Sequence, residues 1–331
     1  MTDLSRLVDR FEDATVRDLA WLLFAPDLLR ASAAGAPLAQ PFESAEERKA
    51  TLAWLAALDA APAALHGRSR NPRSTRLGIY AESLLEFFLA HGPAARLIAA
   101  NVPLRSQRRT IGECDFLLET ASGARLHWEL AVKFYLHIGD GTSTTARSSD
   151  YVGPNLQDRF DLKHARLLTH QLTLTSRAEF AALGFEGPWR AQLFIKGRLF
   201  YRDESIAPAP EAGERHVRGW WLTASEWRER RVGEGKDASG NDRVWVVQPR
   251  LAWLASRRLS AADADALIAE AAAIHDRLTA AASPTMVAAY VRDGAGHWTE
   301  QSRGFIVPDD WPERARAFAA SARLSDSAVP T

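Results

Sequence analysis

The stretch "GECDFLLETASGARLHWELAVKFYL", residues 112–136, decides the fold. Two apolar runs flank a small polar turn, the pattern of a β-hairpin. Its exceptional feature is charge inside the runs: Asp115, Glu129 and Lys133 sit where a buried strand carries apolar groups.

The turn fixes the register. A three-residue hairpin loop places glycine last, in the left-handed conformation, and Ala121-Ser122-Gly123 fits. Centring on Ser122 sets Cys114 against Leu130, Phe116 against Trp128 and Leu118 against Leu126, one wholly apolar face. On the other face Glu119 opposes Arg125, Leu117 opposes His127 and Asp115 opposes Glu129. Glu113 then opposes Ala131 and Ile111 opposes Lys133. A one-residue slip would mix the two faces.

This register places two carboxylates, Asp115 and Glu129, with Cβ atoms about 5 Å apart. They repel, and Glu113 adds a third acid. A divalent cation resolves the conflict, since Mg²⁺ binds through one or two carboxylates and keeps several waters. Lys133 shares the face, diagonal to Glu113. Such equipment suits phosphodiester hydrolysis. The metal polarises the phosphate and lowers the pKa of a bound water, and the lysine orients that water or stabilises transition-state charge. The alternative is a solvated polar face of a half-exposed hairpin. His127, Tyr135 and His137 on the same face weigh against that alternative.

Around the hairpin, the chain of 331 residues has 47% hydrophobic residues, enough for a large core. No uncharged apolar run reaches transmembrane length, and the first residues carry acids and arginines where a signal peptide needs an apolar run. A soluble cytoplasmic protein without membrane contact is expected. The single cysteine, Cys114, excludes internal disulfides and a cysteine-based zinc site, and reads as an inert core thiol. The 41 basic and 41 acidic residues cancel, so global charge gives no push toward nucleic acid. Two local segments, "HGRSRNPRSTR" (66–76) and "RSQRR" (105–109), are basic and free of acids. They read as solvated loops or as phosphate grips.

Helical spacing covers 4–24. A second helix opens with the capping-box pair Ser44 and Glu47 and runs to about residue 60. A third spans "TRLGIYAESLLEFFLAHG", stopped at Gly92-Pro93. Strands follow at 95–104, in the hairpin, and in "RAQLFIKGRLFYR". A Gly- and Ser-rich loop precedes a long helix over 156–175. Beyond residue 205 come further strands, an Ala-rich helix over 260–282 and a terminal helix. The order gives an α/β (α+β) protein: helices over 1–67, a mixed core over 68–205 and an α+β extension over 206–331.

The hairpin, together with "YVGPNLQDRFDLKHARLLTHQLTL" (151–174) and "VRDLAWLLFAPDLL" (16–29), resembles an uncharacterised bacterial family known as a domain of unknown function (label 1853), over most of the chain. The centre is also similar to the PD-(D/E)XK nucleases, with a restriction-endonuclease-like core. There an acid on one strand precedes an acid-x-Lys on the next. By that resemblance Asp115 is the first acid and Lys133 the lysine. The second acid belongs two residues before the lysine, where this chain has Ala131. Glu113 from across the hairpin, or Glu129 brought closer by a bulge, would supply it. Otherwise the protein only binds. The resemblance also implies a glutamate on the preceding helix, matched by Glu82, and a glutamine near the site, matched by Gln171. On the long helix Gln171 falls within the apolar arc of Leu156, Phe160, Leu167 and Leu174, where a buried amide needs partners; Lys163 and His164 border that arc and face either phosphate or solvent. The expectation is a Mg²⁺- or Mn²⁺-dependent nuclease. Its catalytic set would be Asp115, Glu129, Lys133 and Gln171, and its metal set Asp115, Glu129, Glu113 and Glu82. DNA or RNA would be the partner, and the oligomeric state stays open. The rival is an inactive nucleic-acid- or protein-binding module, for which the eleven tryptophans could supply contacts.

Overall fold

The structure is a computed structural model. It describes residues 3–69, 76–106, 109–139, 144–229, 240, 243–259, 278, 282–292 and 296–326. The expected helix over 260–282 lies almost entirely outside the described residues.

The expected first helix, 4–24, is two: α1 (Asp3–Val8) and α2 (Ala14–Phe24). The break is made by Asp13, whose carboxylate accepts from the N–H groups of Thr15 and Val16 and so starts α2 afresh. The second oxygen of Asp13 lies 2.8 Å from His66 Nε2. Asp13→Ala is expected to cost about 1–2 kcal/mol of stability, read by urea denaturation. Next come α3 (Ala45–Ala60), with Ser44 accepting from Glu47 N–H, and α4 (Ala63–Ser69). The latter takes in the first residues of the basic segment expected as a loop, because Pro62 opens a further helical turn to which His66 bonds back. Helix α5 (Leu77–His91) ends before Gly92, whose N–H still bonds Phe88 O.

A meander follows: β1 (Ala95–Ser106), β2 (Arg109–Thr120) and β3 (Arg125–His137). Arg105 and Arg109 thus belong to strands rather than to a free basic loop. A short strand β4 (Tyr151–Val152) leads through a loop to α6 (Phe160–Thr169) and a 3-10 turn over Gln171–Ser176. The helix expected over 156–175 is therefore shorter. Leu156 sits at a φ of 54°, which no helix admits, and Arg159 enters α6 clamped to Asp161. Helix α7 (Ala178–Ala181) precedes β5 (Arg190–Tyr201) and β6 (Val217–Thr223). The rest is α8 (Ala224–Glu229), β7 (Arg243–Val247), β8 (Arg258–Leu259), β9 (Thr285–Arg292), β10 (Trp298–Val307) and α9 (Trp311–Asp326).

The strands form one mixed sheet in the order β1-β2-β3-β5-β6-β10-β9-β7, with β4 on β3 and β8 on β10. Strands β3, β5, β6 and β10 run parallel, flanked by antiparallel pairs on both sides. The sheet continues across residue 205 without interruption. Pairing β3 to β5 in parallel requires a crossover, and α6 supplies it.

The alternation of β3 and β5 sorts two cores. Phe116, Leu118, Trp128, Phe194 and Phe200 pack with α2 and α5 residues such as Leu22, Leu84 and Phe88. Ala131, Tyr135, Ile195 and Leu199 pack on the opposite face with Phe160 and Leu167 of α6. Each such aromatic or leucine buried outright contributes about 1.5–3 kcal/mol. Asp18 ties the N-terminal helices to the C-terminal part. It accepts from Tyr80 Oη–H at 2.8 Å, Arg257 Nη2–H at 2.7 Å and Ala255 N–H at 3.0 Å.

Candidate active site

The hairpin forms in the expected register beside its turn: Phe116↔Trp128, Leu117↔His127, Leu118↔Leu126 and Glu119↔Arg125. Gly123 takes a φ of 81°, as the turn demands. The ladder stops at Phe116↔Trp128. The pairings expected beyond it, Asp115 with Glu129, Glu113 with Ala131 and Ile111 with Lys133, do not form. The reason is that Asp115 turns its side chain into the ladder. Its Oδ2 accepts the Leu130 N–H at 2.8 Å, and its own N–H donates to Glu129 Oε1 at 3.4 Å. From there β2 and β3 separate, and the two carboxylates lie in the opening.

The face carrying Glu129 is no solvated surface. Glu129 is 1% exposed and His127 fully buried. His127 Nε2 donates to Glu129 Oε1 at 2.7 Å, and Gln171 Nε2 donates to Oε2 at 2.8 Å. Gln171 Oε1 in turn accepts from His170 Nδ1 at 3.1 Å. Gln171 reaches the carboxylate from the 3-10 turn after α6, the element that lies over this end of the sheet. With Asp115 N–H, Glu129 receives three donors, enough to hold a buried carboxylate in one orientation.

Burial pushes the Asp115 carboxyl up to about 8, and the charge of Glu129 adds to it. The Leu130 N–H opposes the shift, and Lys163 on α6 opposes it more weakly. Glu82, half-buried on α5, is raised by burial and by the charges of Glu113 and Glu129. Lys163 is lowered by burial and by Lys133, and drawn back by Asp115 and Glu129. One electrostatic neighbourhood therefore holds Glu82, Glu113, Asp115, Glu129, Lys133 and Lys163. Among the described residues, none of Glu82, Glu113 or Asp115 has a cationic ion-pair partner within 4 Å. Burial and the same acids push the Cys114 thiol up to about 12, which keeps it protonated.

Lys133 is directed elsewhere than the sequence suggested. Its Nζ meets Asp158 Oδ2 at 2.5 Å, and Tyr135 Oη–H donates to the same oxygen at 3.3 Å. Asp158 was not among the expected site residues. It is brought in by the loop from β4 to α6, where Gly153 N–H bonds the Asp158 carbonyl and a side chain at 153 would collide with the Asp158 carboxylate. A glycine followed by "PNLQD" marks a tight polar loop, which is the signal that could have pointed to it. His164, by contrast, bonds Ala34 O at 2.7 Å and has a structural role.

The donors present suit a hard cation: carboxylate oxygens and an amide, with no thiolate. As the side chains stand, no three His, Cys, Asp or Glu residues among the described ones are grouped closely enough to hold a metal ion. No helix among the described residues is long and apolar enough to cross a membrane.

No curated protein and no solved structure matches the chain. Residues 17–307, which contain the whole opening between β2 and β3 and the elements around it, match the family described as Domain of unknown function (DUF1853), and the chain belongs to that family.

Proposed function

We propose that the chain is a metal-dependent nuclease, hydrolysing phosphodiester bonds of DNA or RNA in the opening between β2 and β3. The observation that carries this reading is the acid group there, in which Glu82, Glu113 and Asp115 have no ion-pair partner within 4 Å among the described residues: Asp115 is set against the immobilised Glu129, and Glu113 and Glu129 raise Glu82. Buried like charges without a cation are costly, and a dication is the ordinary remedy. Asp115, Glu129, Glu113 and Glu82 would hold Mg²⁺ or Mn²⁺ after a turn of the more exposed side chains. When bound, the ion polarises the phosphate and lowers the pKa of a water. His127 and Gln171 keep Glu129 fixed. Asp158 and Tyr135 orient the Lys133 ammonium, which would meet charge developing on the phosphate oxygens. Lys163 adds a second cation for the backbone of the nucleic acid.

Two observations favour the rival, a nuclease-like module that binds without cutting. Ala131 stands where the superfamily pattern has its second acid, and Glu129 already has its oxygens engaged by protein donors. One experiment separates the readings. Purified protein is incubated with single- and double-stranded DNA and RNA, with and without Mg²⁺ or Mn²⁺. The enzyme cuts one of them only with metal, and Lys133→Met lowers the rate about 10²–10³-fold. In parallel, Mn²⁺ raises the melting temperature of wild type but not of Asp115→Asn. Folded protein that cuts none of these nucleic acids under any condition sinks the enzyme reading.

A further inference from the structure

On the opposite face of the sheet, a cavity of about 1010 Å³ lies between α1, α2 and the strands β5, β6 and β10. None of the acids of the candidate active site lines it. Its lining is rich in guanidinium groups: Arg48, Arg198, Arg215, Arg218 and Arg303. Arg303 is neutralised, gripped by Glu300 through two bonds of 2.7 Å. Two other carboxylates line the cavity, Asp3 and Glu204, and Asp3 pairs with Arg6 at 3.7 Å. Arg48 stacks over the Phe24 ring, and Arg218 stacks over the Tyr201 ring and donates to the Glu204 and Ile206 carbonyls. Among the described residues, Arg198 and Arg215 have no carboxylate within 4 Å.

Arg198 stands on β5 beside Phe134 of β3, so its side chain leaves the sheet on the α2 side. Its one hydrogen bond among the described residues is from Nη1–H to the Arg218 carbonyl at 3.0 Å. The Nε–H of Arg198 is shielded from solvent and has no acceptor. Trp21, also in the lining, has a buried Nε1–H in the same condition. Leaving a buried donor unsatisfied costs about 1–3 kcal/mol, more for a charged group, so this wall of the cavity is short of acceptors. Burial and the charge of Arg303 also pull Arg198 down to about 9, with the charge of Glu300 opposing the shift. The remaining wall is apolar, made by Leu4, Leu7, Val8 and Phe24.

We propose that this cavity is a binding site for a small organic phosphate, the phosphate bonded by Arg198 with Arg215 near it, and the apolar body laid against Leu4, Leu7 and Phe24. Guanidinium forks match phosphate oxygens in pairs, and a cavity of this size admits a nucleotide or a short-chain alkyl phosphate. The site is independent of the reading of the acidic opening as a nuclease centre.

The test is calorimetric titration of the full chain with AMP, ATP, octyl phosphate and citrate. At least one phosphate ester binds, and citrate does not. The nucleotides and octyl phosphate tell apart the two kinds of apolar body. Arg198→Met weakens binding by about 10–100-fold, the loss of one charge-assisted bond. Since Arg198 also ties β5 to β6 through the Arg218 carbonyl, the exposed Arg215→Glu serves as the second variant, and it too weakens binding. Glu129→Gln binds as wild type. Absence of binding by every phosphate at millimolar concentration overturns the proposal. So does equal binding of citrate, or binding that survives both arginine variants but is lost in Glu129→Gln.

Discussion

Gly197→Ala is expected to yield no stably folded protein. Gly197 lies in the middle of β5, paired in parallel with Lys133 of β3, and holds a φ of 157°. A β-carbon built there falls on the Lys133 carbonyl oxygen, far inside van der Waals contact, with the Lys133 carbonyl carbon and nitrogen close behind. The obstacle is main chain from a central strand, so no side-chain rotation relieves it. Either β5 moves away from β3, breaking a ladder that runs from Leu126 to Leu136, or the chain leaves this packing altogether. The expected cost is about 4 kcal/mol or more, a large share of a domain's whole stability. Circular dichroism melts of the soluble fraction, against Gly67→Ala as a control in open space, check it. A variant with near-native melting would show that β3 and β5 are not so close at this point.

The second large effect concerns pH. Asp115 is held near 8 in the folded chain by burial and by Glu129, against about 3.9 when unfolded. A carboxyl raised on folding contributes fully below the unfolded pKa, and its contribution is lost as pH rises through the folded value. The metal-free protein therefore pays increasingly for Asp115 between pH 4 and 8. Asp115→Asn removes the titration while its amide oxygen can still accept from Leu130 N–H. In the presence of EDTA, the variant should exceed wild type in unfolding free energy by about 2–4 kcal/mol more at pH 9 than at pH 5. Urea denaturation at the two pH values measures it. Equal differences at both would mean that Asp115 is charged without penalty, and would remove the electrostatic basis of the proposed metal site.

The sequence was legible where side-chain parity decided the outcome. Apolar alternation on both sides of Ser122 fixed four pairs of the hairpin, and those pairs form. Where a side chain competes with the ladder, parity fails. The bond from Leu130 N–H to Asp115 is invisible to periodicity, and it ends the hairpin. Gln171 shows a mixed case. Its place in an apolar arc implied a buried partner, and it does meet Glu129, though from a 3-10 turn rather than from a helix that stretched back to Leu156. For Asp158 the local pattern marks a tight loop, but not that the loop carries this carboxylate back to Lys133. Gly197 could have been noticed as a lone glycine inside "FIKGRLF", which marks a close backbone approach.

The outermost position of β1 has a consequence for how molecules meet. A bare strand of twelve residues at the end of a sheet is a template for another chain's backbone. Here Asn101 turns to a φ of 52° and Pro103 offers no amide hydrogen. A second copy approaching edge-on meets interrupted donors, an arrangement that works against cross-strand pairing along that border.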